Sequence, residues 1–171
     1  DDPPFLLNAK KPPRNKGCDV QVTLRSTSQP ACWWGLFSDA GSEAKKKAHL
    51  KAPAFGPGDY MLYRSHYGDL QFMHSMGAYD GETAGETVDR MKIWAEFLWG
   101  VSIGSTPTGT FIRDLGNTSL TPYFPGDLTT MNLFDTGSVE VRKNLDEVAM
   151  GVLLHMVQDS FSNAHAVRGQ E

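Results

Sequence analysis

Apolar residues follow two different rhythms along this chain, and the change falls near residue 60. Before it, Val20, Val22 and Leu24 alternate with Gln21 and Thr23, the period of a short strand, while Pro3-Pro4, Pro12-Pro13, Pro30, Pro53 and Pro57 interrupt any long helix. Residues 1–58 are therefore expected to form a loop-rich, partly β arm, with one brief helix over Ser42–Leu50 whose Lys45-Lys46-Lys47 run forms a solvated face. After it the period is helical. Asp69 is placed to cap a helix that reaches Met76, before Gly77 and Tyr79-Asp80-Gly81 break it. Thr83 or Thr87 caps a second helix, in which Met91, Trp94, Leu98 and Val101 recur at spacings of three and four and Phe97 widens the stripe. Trp94 and Trp99 are expected to serve as core or interface aromatics. Residues 104–137, rich in Gly, Pro, Thr and Asn, read as a long connection of the kind that often carries function. Ser138 caps a third helix with a core stripe of Val141, Leu145, Val148, Ala149, Val152, Leu153 and Met156. The expected architecture is mainly α: a multi-helix domain from residue 59 to 171 behind the irregular arm.

Composition narrows the function classes. With 171 residues, 40% hydrophobic, the chain has the material of one domain. Sixteen Lys and Arg stand against twenty Asp and Glu, and a net charge of −4 supplies no long-range attraction for nucleic acid. No apolar run reaches the roughly 18 to 20 residues that span a bilayer, and the start has no signal-peptide layout. Cys18 and Cys32 sit fourteen positions apart without metal-type spacing. A disulfide between them implies an oxidising compartment, hence a secreted or periplasmic protein, and two free thiols are the alternative.

Four of the five histidines fall in two short clusters with aspartates, His66-Tyr-Gly-Asp69-Leu-Gln-Phe-Met-His74 and His155-Met-Val-Gln-Asp159-Ser-Phe-Ser-Asn-Ala-His165. On a helix, His155 and Asp159 lie about 40° apart around the axis and about 6 Å along it, so both side chains can converge on one ion. They adjoin an apolar stripe, where an unpartnered imidazole or carboxylate is costly, whereas imidazole nitrogen and carboxylate oxygen are natural zinc ligands. Continuous helix would carry His165 about 15 Å from His155, so it requires a helix break, for which Ser160-Phe-Ser-Asn-Ala is suited, or a second ion. Without a metal, His155 and Asp159 would form an i,i+4 hydrogen-bonded pair and His165 a surface residue.

His155-x-x-x-Asp159-x-x-x-x-x-His165, preceded by Gly151-Val-Leu-Leu and followed by Ala166, resembles the zinc-ligand helix of the zinc-dependent phospholipase C superfamily, which includes single-strand-specific zinc nucleases. The resemblance implies an all-helical phospholipase C-like fold and a cluster of up to three zinc ions that cleaves phosphodiester bonds with metal-activated water. It implies that His155 binds the first zinc, that Asp159 bridges the first and third, and that His165 serves the second. It also implies an upstream histidine, matched by His74, and an upstream aspartate fourteen or fifteen residues before it, matched by Asp59. Asp69 and His66 compete for that upstream role, Asp69 as ligand or helix cap and His66 as ligand or general acid; an unsaturated carboxylate, Asp59 or Asp69, would act as general base. The family takes further ligands from an N-terminal tryptophan, an early histidine and a second HxxxE or HxxxD. This chain starts at Asp1, has no histidine before His49 and stops at Glu171, so it is expected to be a processed protein or fragment whose missing ligands come from another segment or chain.

Phospholipid or a membrane surface is the first expected substrate partner, with Phe111, Tyr123 and Phe124 as lipid-facing residues or core, and nucleic acid the second. A non-catalytic domain held together by one metal is the rival from another class. Manganese, iron or nickel also suits such a donor set.

Overall fold

In the computed structural model, residues 30–134 and 139–165 are described. Val20–Leu24, Cys18, the Cys32 side chain and Ser138 fall outside them, and with them the arm strand, the disulfide and the Ser138 cap. The protein is mainly α. Among the described residues the one β contact is an isolated antiparallel bridge between Phe111 and Thr129.

The first helix departs from the expected loop-rich arm. α1 runs Pro30–Lys47, with Pro30 in the first turn where its missing N–H costs nothing, and a 3₁₀ turn at Ala48–Leu50 follows. Leu36, Ala40 and Ala44, spaced by four, form its apolar stripe; Leu36 and Ala40 are fully buried in the same core as the helices that follow. Glycines and serines between these positions mask the helical period in the sequence.

α2 (Met61–Tyr67) is short, stopped by Gly68. A Cβ at residue 68 would lie 2.7 Å from the Phe55 carbonyl oxygen and 2.9 Å from Arg64 Cα, so only glycine lets the chain pass here. The helix expected from Asp69 to Met76 is instead a 3₁₀ turn, Gln71–His74, and Leu70, not Asp69, precedes it. Asp69 is drawn elsewhere. Its two oxygens accept from Arg64 Nε at 2.8 Å and Nη2 at 2.7 Å, both groups being buried. Burial raises the Asp69 carboxyl pKa and the Arg64 guanidinium pulls it back down.

α3 (Ala84–Ser102) begins with a capping box between Thr83 and Glu86 and buries Trp94, Phe97, Leu98 and Val101, the stripe read from the sequence. Trp94 is fully buried against Phe97, Phe124 and Phe134; Trp99 is half exposed. Within the expected 104–137 connection, residues 104–134 contribute to the core: 3₁₀ turns at Ile112–Asp114 and Thr118–Leu120 and helix α4 (Thr130–Phe134) deliver Ile112, Leu120, Phe124, Leu133 and Phe134 to it. The expected third helix is two, α5 (Val139–Lys143) and α6 (Leu145–Asp159), interrupted at Asn144. α6 buries Leu145, Ala149, Val152 and Met156 against α3. Among the described residues no helix is long and apolar enough to cross a membrane.

Tyr63 gives the fold a testable alkaline limit. Its hydroxyl donates to Asp39 Oδ2 at 2.8 Å, tying α2 to α1. Burial first, and then the Asp39 hydrogen bond, push its pKa well above that of a free tyrosine. The folded chain thus keeps this proton to higher pH than the unfolded chain, so the contribution is complete below about pH 10 and is lost as pH rises beyond it. Melting temperatures between pH 8 and 11 are expected to fall less steeply in Tyr63→Phe than in the wild type.

Candidate metal centre

Two segments far apart in sequence supply the site. His74 ends its 3₁₀ turn, and Ser75 follows in the left-handed region at φ 58°, sending its N–H back to the Phe72 carbonyl at 3.1 Å. The Ser75 hydroxyl donates to the Met156 carbonyl at 2.8 Å, which ties this turn to α6 one turn before Asp159. His74 is thereby held, buried, against the end of α6. Ser75 carries no sequence signal of this role: a serine in left-handed backbone is not distinguishable from any turn serine.

Asp159 is the hub. Its Oδ2 lies 2.8 Å from His74 Nδ1 and 3.1 Å from His155 Nε2, and those two nitrogens are 3.3 Å apart. Zinc–ligand bonds of about 2.0–2.1 Å place tetrahedral donors about 3.3 Å from one another, so the three atoms sit close to the separations one ion requires. α6 ends at Asp159; Ser160–His165 turns back through hydrogen bonds from Ser162 N–H to the Asp159 carbonyl and from His165 N–H to the Ser162 carbonyl. The break anticipated at Ser160-Phe-Ser-Asn-Ala thus returns His165 toward the cluster. Its Nε2 faces the other carboxylate oxygen, Asp159 Oδ1, at 3.9 Å, while its Nδ1 is buried without a hydrogen-bond partner. His74, Asp159 and His165 offer donor atoms that all lie within 4.8 Å of one another, a possible metal-binding triad.

The chemistry of this donor set fits a metal. Imidazole nitrogen and carboxylate oxygen are both natural zinc ligands, and here they converge from His74, His155, Asp159 and His165. His155 is 39% exposed while His74 is 6% and Asp159 13%, so solvent reaches the cluster from the α6 side.

The upstream residues divide. The His66 ring lies beside His74, centroids 4.6 Å apart. Its Nδ1 lies 2.9 Å from the Ser65 hydroxyl oxygen and 3.2 Å from the Leu62 carbonyl oxygen. Asp59 and Asp69 are not among the residues whose donor atoms converge. Asp59 Oδ2 accepts from the Gly56 N–H at 3.1 Å and closes its own Gly56–Asp59 turn. Asp69 is committed to Arg64, a partner five positions back that sequence spacing did not single out. Phe111, Tyr123 and Phe124 are packing residues: Phe124 is buried, Tyr123 packs against Phe72, and Phe111 lies under Arg113.

Searches of protein-family models, of curated proteins and of solved structures find no match to this chain.

Proposed function

We propose that the protein is a zinc-dependent phosphodiester hydrolase of the phospholipase C type. The observation that carries this reading is the convergence of His74, His155 and Asp159, from two segments 81 or more positions apart, at mutual separations of 2.8 to 3.3 Å. His165 on the second carboxylate oxygen supports a neighbouring ion. Bound zinc would polarise a phosphate oxygen and lower the pKa of its water toward 7.

The chain's own residues do the positioning. Asp159 holds His74 and His155 in one orientation, as the carboxylate partner of an imidazole does. Ser75 fixes the turn that carries His74. His155, the exposed member, leaves an approach for a phosphate from solvent. His66, whose ring lies beside His74, is the further imidazole placed to serve as ligand or general acid.

Exposed apolar side chains on α6 and just beyond its end favour phospholipid over nucleic acid. Leu154 is 54% exposed, Val157 44% and Phe161 71%, and they flank His155 and Asp159 in sequence. Large exposed side chains grouped beside a polar site are what an interface with lipid requires. Replacing Leu154 and Phe161 together by serine is expected to weaken sedimentation with phosphatidylcholine vesicles by about tenfold, since the two side chains would forgo at least about 1.4 kcal/mol of transfer into lipid. Zinc content should be unchanged in that variant.

Release of phosphate ester from phospholipid and from single-stranded DNA, measured with and without zinc, tests the hydrolase reading. Zinc-dependent turnover of either supports it and names the substrate. A protein that binds zinc firmly yet turns over neither is a metal-stabilised helical domain.

A further inference from the structure

A second feature lies against the candidate centre. Between α1 and residues 67–80 runs a cleft of about 510 Å³, within the range of small-molecule sites. α1 lines it with Phe37, Gly41, Ser42 and Lys45, and Tyr67 and Asp80 stand opposite. Gly41 is what brings the walls together, because a Cβ there would meet the Tyr67 hydroxyl oxygen at 3.2 Å.

One end of the cleft approaches the candidate centre through Phe37, although none of the proposed ligands lines it. Phe37, at one end, packs edge-on against His66 at 5.2 Å and Tyr67 at 5.4 Å, and His66 in turn lies against His74. From Phe37 to Lys45 is eight helical residues, about 12 Å. Helical side chains lean toward the N-terminus of their helix, which for Lys45 is the direction of Gly41 and Phe37.

The three lysines at this end of α1 are not equivalent, although the sequence alone reads them as one solvated face. Lys46 pairs with Glu43 at 2.5 Å. Lys47 donates to the Ala54 carbonyl at 2.7 Å and lies over the Phe55 ring. Lys45 is exposed, lines the cleft and has no partner among the described residues. Asp80 on the opposite lip would repel an anion there and favour the α1 side.

We infer that this cleft takes the portion of a phosphodiester substrate that carries a second phosphate, with Lys45 receiving that phosphate. The inference rests on the hydrolase reading, since it treats the His66 end of the cleft as the place of the scissile phosphate. A phosphorylated lipid headgroup and a neighbouring nucleotide phosphate share the required chemistry.

The test is a calorimetric titration of the full chain, with zinc present, using two pairs of phosphorothioate-linked probes that resist turnover. One pair is dithymidine with and without a 5′-phosphate, and the other is glycerophosphoinositol with and without a 4-phosphate. In the wild type the second phosphate is expected to tighten binding five- to tenfold in at least one pair, and that pair identifies the source. Lys45→Glu should erase the gain and Lys45→Gln should reduce it, with zinc content unchanged in both. Ser42→Trp, at an exposed position on the cleft wall, should weaken all four probes. No gain in the wild type, or a gain that survives Lys45→Glu, overturns the inference. Zinc that is bound, and lost in His155→Ala, with no second-phosphate gain overturns the cleft assignment and leaves the hydrolase reading standing. No zinc in the wild type overturns the hydrolase reading and with it the substrate assignment, and a gain that depends on Lys45 then marks the cleft as a phosphate site only.

Discussion

If the protein is the proposed hydrolase, Asp159→Ala is expected to reduce phosphodiester hydrolysis by on the order of a thousandfold or more while leaving the protein folded. The carboxylate is the one group near all three histidines of the centre, through Oδ2 at 2.8 Å to His74 and 3.1 Å to His155 and through Oδ1 at 3.9 Å to His165. Losing it would remove a proposed ligand and the partner that orients His74 and His155. Lewis-acid stabilisation of transition-state charge amounts to several kcal/mol, and each 1.36 kcal/mol is a factor of ten in rate. The fold should survive because Asp159 is the last residue of α6, while the helix is held by Leu145, Ala149, Val152 and Met156. Initial rates on the preferred substrate, with far-ultraviolet circular dichroism in parallel, check both halves. A variant with wild-type rate would remove Asp159 from the machinery.

Arg64→Met is expected to be the most destabilising single change outside the aromatic core. Arg64 is 2% exposed, grips both oxygens of Asp69, donates to the Tyr123 carbonyl at 2.6 Å and lies over Phe124. It therefore joins α2, the turn leading to His74 and the 118–124 segment. Removing one partner of a buried pair strands the other charge, at a cost of roughly 3–5 kcal/mol, a large share of the roughly 5–15 kcal/mol that stabilises a domain. A fall of about 10 °C in melting temperature follows at this chain length. In the variant nothing but the local backbone offsets the burial that already raises the Asp69 carboxyl pKa, so the folded form holds that proton to higher pH than the unfolded form. Its stability falls as pH rises through that window, and the deficit against the wild type should shrink in acid. The pair replacement Arg64→Met with Asp69→Leu should recover most of the loss, because two apolar groups leave no stranded charge. Thermal melts at pH 4 and pH 7 of the three proteins decide this; a single variant that melts with the wild type would contradict it.

What the chain discloses by reading depends on whether a side chain's partner is near in sequence. His155 and Asp159 share a helix face at a spacing of four, and the polar run after them marks a helix end, so the downstream half of the site was legible. Trp94, Phe97, Leu98 and Val101 announce α3 in the same way. His74 stands out only as a histidine in a second cluster; the contact that places it comes from Ser75, whose acceptor is 81 positions away. Asp59 and Asp69 were both plausible ligands because an aspartate serves equally to close a turn, to cap a helix or to bind a metal. The structure assigns Asp59 to its turn and Asp69 to Arg64, choices made by packing that no local spacing encodes. Of α1 only the end, within the helix expected over Ser42–Leu50, is legible in the sequence; the earlier part is not, because its buried stripe of Leu36, Ala40 and Ala44 is small and narrow, with glycine and serine between.

The central claim is that this chain holds a metal through His155 and Asp159. Inductively coupled plasma mass spectrometry on protein purified without added metal, repeated on His155→Ala and Asp159→Ala, tests it most directly. The account expects at least one zinc ion per chain in the wild type, lost from both variants. A metal-free wild type, or zinc retained undiminished in either variant, would contradict it.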